Sequence, residues 1–150
     1  MMAKRKVSVV RILVVGIAYA ILSMIVHTIG AQIGMQYYTD PAYSQVWSKL
    51  MMPAMGPPPT MFYVYSFVFA VLTGILFALV YQVIKDAIPV KNVDERGILY
   101  GLLVFLVSGL PSTLSMYLIV NLPLPLIAMW AVESWVLALL GGIVVAQAIK

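Results

Sequence analysis

Residues 60–84 read TMFYVYSFVFAVLTGILFALVYQVI, 25 positions without one charge. As a helix this run rises about 37 Å at 1.5 Å per residue, enough to cross the ~30 Å hydrocarbon core of a bilayer. Its apolar residues go all the way round instead of forming one stripe, as a helix embedded in lipid requires. Outward from it, three further runs share this character, at about 7–29, 98–120 and 126–149. Barrel strands would instead show alternating segments of about ten residues. The predicted fold is an all-α integral membrane protein: one transmembrane domain over 1–150, a four-transmembrane-helix bundle with a short interfacial helix in the first outer loop, residues 30–59.

Composition agrees. The chain is 63% hydrophobic and 9% charged, with a mean hydropathy of +1.04, whereas a soluble domain carries about 25% charged residues. So few charges cannot coat a water-facing surface, which excludes a cytosolic enzyme, a nucleic-acid-binding domain and a disordered linker. There is no cysteine and one histidine. Disulfide frameworks, thiolate metal sites, His-rich zinc sites and two-His haem sites are therefore excluded within one chain. No glycine-rich phosphate loop, nucleophile elbow or metalloprotease motif is present, and no cofactor or metal is expected.

Charge sets the expected orientation. Lys4, Arg5, Lys6 and Arg11 lie at the first run, Lys85, Lys91 and Arg96 between the second and third, and Lys150 after the fourth. Lys49 alone falls on the other side. This bias places both termini in the cytoplasm. Ala18-Tyr19-Ala20 mimics a signal-peptide cleavage site, but the apolar run continues well past it, so the first span reads as an uncleaved anchor.

Local chemistry marks the boundaries. Pro89 ends the second span, and Asn92 caps the third with Asp94 and Glu95 in its first turn. Asn121 closes that helix, and Pro125 starts the fourth. In the outer loop, Asp40-Pro41 is a helix-start signal. Tyr43, Val46, Trp47, Leu50 and Met51 then share one side, which predicts a helix lying in the membrane interface. Met51, Met52 and Met55 have the thioethers that bind Cu(I), but interfacial packing is the stronger reading of them.

Each span carries small residues, which let membrane helices approach closely. The second has Ser66, Ala70, Gly74 and Ala78; the fourth Ser134, Ala138, Gly142 and Ala146. The first has Gly16, Ala20, Ser23 and His27, and the third Gly97, Gly101, Ser108, Ser112 and Ser115. A compact bundle follows, with membrane lipids as surroundings and a homo-oligomer or larger membrane complex as the partner in view.

An ionisable group inside the membrane costs at least ~2.5 kcal/mol on insertion scales, so function is sought there. Glu133 is the acidic residue so placed. Counting back from the turn near Pro123 sets Thr113 at its depth, and Ser112 at that of Ser134. Pro111 removes a helical hydrogen bond beside it, which predicts a kinked or broken third helix. His27 and Ser66 reach the same level. The expected site is thus an outward-facing polar pocket of Glu133, His27, Ser66, Ser112, Thr113 and Pro111.

The function expected from this pocket is non-catalytic, that of a small carrier or an accessory or binding subunit. The alternatives are an intramembrane enzyme acting on a lipid-like substrate with Glu133 and His27 as acid and base, and a structural subunit that docks a partner through loop 30–59.

Overall fold

A computed structural model describes residues 8–53 and 56–149 of the chain. Lys4, Arg5, Lys6, Met55 and Lys150 lie outside the described residues. The helices are α1 (Val9–Ile33), α2 (Met35–Tyr38), α3 (Thr60–Ile84), α4 (Val93–Val104), α5 (Leu110–Ile119) and α6 (Leu124–Ala148). No strand occurs among the described residues. Four helical stretches are long and apolar enough to cross a membrane: Val9–Ile33, Thr60–Ala87, Val93–Ile119 and Leu124–Ala148.

The boundaries differ from hydropathy where capping decides them. The third stretch begins at Val93, not near residue 98, because the Asn92 side chain accepts hydrogen bonds from the backbone N–H groups of Asp94 and Glu95. A cap starts a helix whether or not the first turn is apolar. The first helix runs on past Ile29 to Ile33, and the fourth begins at Leu124 behind Pro123. The third ends at Ile119, before Asn121.

Two expectations are corrected. The third stretch, expected to be kinked or broken at Pro111, stays helical there and departs from α geometry just upstream. Phe105–Gly109 forms a π-helical turn that joins α4 to α5, with the Leu110 N–H donating to the Phe105 carbonyl five residues back. The wider turn shifts the carbonyl ladder upstream of Pro111, so its ring and missing N–H fall in the first turn of α5 and the chain stays helical.

The interfacial helix is also reduced, to the four residues of α2 and a 3₁₀ turn at Pro41–Tyr43. Asp40 caps that turn through Ala42 N–H, 2.9 Å. The Ser44 hydroxyl then donates to the Pro41 carbonyl, 2.8 Å, a local bond that competes with helix continuation. Trp47 turns back onto Tyr38 and Trp130, with ring centroids 5.2 and 6.3 Å away.

Glycines set the closest crossings. Gly16 of α1 meets Gly74 of α3, and Gly97 and Gly101 of α4 meet Gly142 and Ala138 of α6, with backbone against backbone. A side chain at Gly101 would enter the Ala138 carbonyl. The main core lies near the bundle end where the described chain begins and ends. It holds Val15, Ala78, Tyr81, Tyr100, Val145 and Ile149, and the Tyr100 hydroxyl donates to the Phe77 carbonyl at 2.8 Å. Toward the other end, no residue of Phe105–Gly109 or α5 is fully buried. This less tightly packed end carries the candidate site.

Candidate functional site

Glu133 lies nine residues into α6 and His27 six residues before the end of α1. These offsets correspond to depths of about 13 and 9 Å from the loop end of each helix. The two side chains meet there. His27 Nδ1 is 2.7 Å from Glu133 Oε2. The histidine side chain is 59% exposed, the glutamate side chain 10%. One partner therefore reaches the molecular surface while the other lies inside the bundle.

The pair is held by a third residue that the sequence reading omitted. Gly30, one turn after His27, is buried directly against Glu133, whose Oε1 occupies the space where a Cβ would stand. A residue three positions from His27 shares its helix face, so this spacing was the available signal. Glu133 Oε1 is itself buried and has no hydrogen-bond partner among the described residues.

Above the carboxyl, toward the loop, three aromatic residues form a roof. Trp130, three residues from Glu133, donates its Nε1–H to the Tyr38 hydroxyl at 2.7 Å. Tyr38 also packs on Trp47, whose Nε1 is buried without a partner among the described residues. The Tyr38 phenol is pushed above its ordinary value, first by burial and also by the Glu133 charge, against the lowering effect of the Trp130 bond. The long loop thus folds back over the site through Tyr38 and Trp47.

The other expected site residues are distributed differently. Ser66 donates to the Phe62 carbonyl of its own helix, 2.8 Å, and Thr113 to the Gly109 carbonyl, 2.9 Å. Ser112 and Thr113 line a groove between α5 and α6 with Ser108, Trp130 and Ser134. Pro111 lines the hollow that adjoins it. The depth count does bring Ser112 and Ser134 to one groove, but Glu133 turns away from Thr113, toward α1. Depth was readable from the turn; the azimuth around α6 was not.

Chemically, the His27–Glu133 pair shares a proton along one short bond. With one proton it is neutral overall, whether as two uncharged groups or as imidazolium and carboxylate. A second proton makes it +1, and loss of the first makes it −1. Among the described residues no three metal-ligating side chains of the His, Cys, Asp and Glu type converge. Compared with known proteins, the chain matches no family model, no curated protein and no solved structure.

Proposed function

We propose that this is a small multi-pass membrane protein of the carrier or binding-subunit type, with both ends toward the cytoplasm. In this reading Glu133 is a proton-exchanging site in the outer half of the bilayer. The observation that carries it is the buried carboxyl: one oxygen is on His27, and the other has no partner among the described residues and is pressed on Gly30. A carboxyl that served packing alone would be expected to use both oxygens, since a buried unpaired acceptor costs about 1–3 kcal/mol.

His27 is the route between solvent and that carboxyl. Its side chain is largely exposed at the molecular surface, about 9 Å inside the loop end of α1, and its Nδ1 is on Glu133. A proton taken up at the surface passes along the ring to the acid by tautomer exchange, without charge being left alone in a low-dielectric interior. Release of that proton leaves a charge that a cationic or proton-donating substrate replaces. The roof of Tyr38, Trp47 and Trp130 covers the carboxyl from the loop side, so exchange is tied to movement of the loop.

The test uses the proton itself as probe. Infrared difference spectra of the full chain in liposomes are recorded between acid and alkaline pH. The reading requires a carboxylic-acid carbonyl band that appears with acidification and disappears in Glu133→Gln. A spectrum unchanged by that substitution removes Glu133 as the exchanging group.

A further inference from the structure

Residues 40–52 lie over the candidate site, yet among the described residues they make no hydrogen bond to the rest of the chain. Those they do make, such as Ala42 N–H to the Asp40 carboxylate and Met51 N–H to the Ser48 hydroxyl, stay inside the segment. What ties the segment down is packing. The Trp47 ring stands 5.2 Å from that of Tyr38 and 6.3 Å from that of Trp130, centroid to centroid. Its indole N–H is buried there with no partner among the described residues, which weakens the closed contact. The segment can therefore lift as one piece, losing a ring contact and no hydrogen bond.

Beneath it, Glu133 has one oxygen on His27 and the other, Oε1, buried with no donor among the described residues. The ionisable groups beside this carboxyl are His27 from α1 and Tyr38 from α2. Residues 60–84 and 105–119 bring no charge, and their outer tyrosines, Tyr63, Tyr65 and Tyr117, are exposed. In the segment above, Asp40 caps Ala42 and Lys49 is exposed. While the His27–Glu133 pair holds one proton it is neutral, and an apolar cover suits it. Without that proton the carboxylate keeps a bare oxygen in a low-dielectric place, a state that burial penalises heavily. The Trp130 N–H is spent on the Tyr38 hydroxyl, so water must come to the charge. A second proton makes no such demand, because its charge falls on the exposed His27.

We infer that residues 40–52 are a charge-gated cover, closed over the protonated pair and lifted away, with Trp47, when the pair is negatively charged. The inference rests on the proton-exchange reading and gives it a direction. The empty acid is open to the outer side, and a proton or cation that neutralises it is then shut in. The rival is entry of water past His27, whose side chain is 59% exposed, with the cover staying closed.

The chain has no cysteine, so spin labels on Lys49→Cys in the cover and Leu124→Cys at the exposed start of α6 report one distance. It is measured by pulsed electron resonance on the full chain in phosphatidylcholine nanodiscs, in a pH series that stops short of about 10, where tyrosine ionises. Infrared spectra of the same samples follow the carboxylic-acid band. A single short distance is expected while the band is present, with a longer component growing in as the band is lost. Glu133→Gln should keep the short distance throughout, and Trp47→Ala should show the longer one at every pH. Loss of the band with the distance unmoved would mean that water enters past His27, and the cover would fall while proton exchange stands. A lengthening that persists in Glu133→Gln, or a Trp47→Ala distance like that of the parent, would also overturn the cover. A band that survives the whole series would remove proton exchange and the cover with it.

Discussion

The carboxyl of Glu133 stands where a side chain on Gly30 would have to go. That contact fixes the acid against α1 and aims its other oxygen at His27 Nδ1, 2.7 Å away. A single small residue therefore determines whether the two ionisable groups meet.

Gly30→Ala is the direct consequence. In an unconstrained helix interior this change gains up to about 1 kcal/mol of helix propensity. Here the added methyl must displace a buried carboxyl, and a net loss of about 1–3 kcal/mol is expected, the usual cost of overpacking. Reversible unfolding in detergent measures it, and a stabilised variant would show that the contact yields without strain.

The α4–α6 crossing is expected to be the most sensitive place in the fold. Gly101 and Gly142 face backbone atoms, which cannot rotate aside. Gly101→Val and Gly142→Val should each destabilise by about 2 kcal/mol or more. Leu103→Val on the exposed side of the same helix should stay within about 0.5 kcal/mol. Thermal unfolding of the three variants side by side decides it.

Tyr38 gives a pH dependence with a definite sign. Its phenol is raised in the folded protein, by burial first. Its contribution to stability is complete below the ordinary value of 10.0 and is lost as pH rises through the higher folded value. The Tyr38 part of the roof over Glu133 should therefore loosen only in alkali beyond the point where an ordinary tyrosine has ionised. With labelled tyrosine, the Tyr38 carbon signal should titrate late, and somewhat earlier in Glu133→Gln, which removes the neighbouring charge. A Tyr38 signal that titrates like an exposed tyrosine would contradict the packing of the roof.

Pro111→Ala restores a backbone N–H beside the π turn. Because Pro111 sits in the first turn of α5, where a missing N–H is tolerated, thermal unfolding in detergent should change by no more than about 1 kcal/mol. A larger loss of stability would mean that the proline is what holds the π turn in place.

The spans were legible because an apolar run of some 25 residues with at most one charge has few other physical solutions; small residues at helical spacing marked the close faces, but which of them meet, Gly16 with Gly74 and Gly97 and Gly101 with Gly142, came only from the structure. Glu133 stood out by its cost in lipid, and His27 by the face it shares with Gly16 and Ala20. What sequence could not supply was rotation about α6, which turns Glu133 to α1 and leaves Ser112 and Thr113 facing a separate groove. The loop was misread for a similar reason. Trp47 fits an amphipathic helix locally, but its partners Tyr38 and Trp130 come from either side of it, one of them 83 residues on. At Pro111, a lost hydrogen bond can be met by a break in the helix or by a π turn, and periodicity does not choose between them.

Because the chain has one histidine, nitrogen NMR of protein labelled only at histidine reports on His27 without ambiguity. In lipid, the Nδ1 resonance should show a strong hydrogen bond to a carboxyl group, and it should move markedly in both Glu133→Gln and Gly30→Ala while the fold is retained. A histidine spectrum identical in wild type and Glu133→Gln would mean that the two groups do not share a proton, and the proton-exchange reading would fall with them.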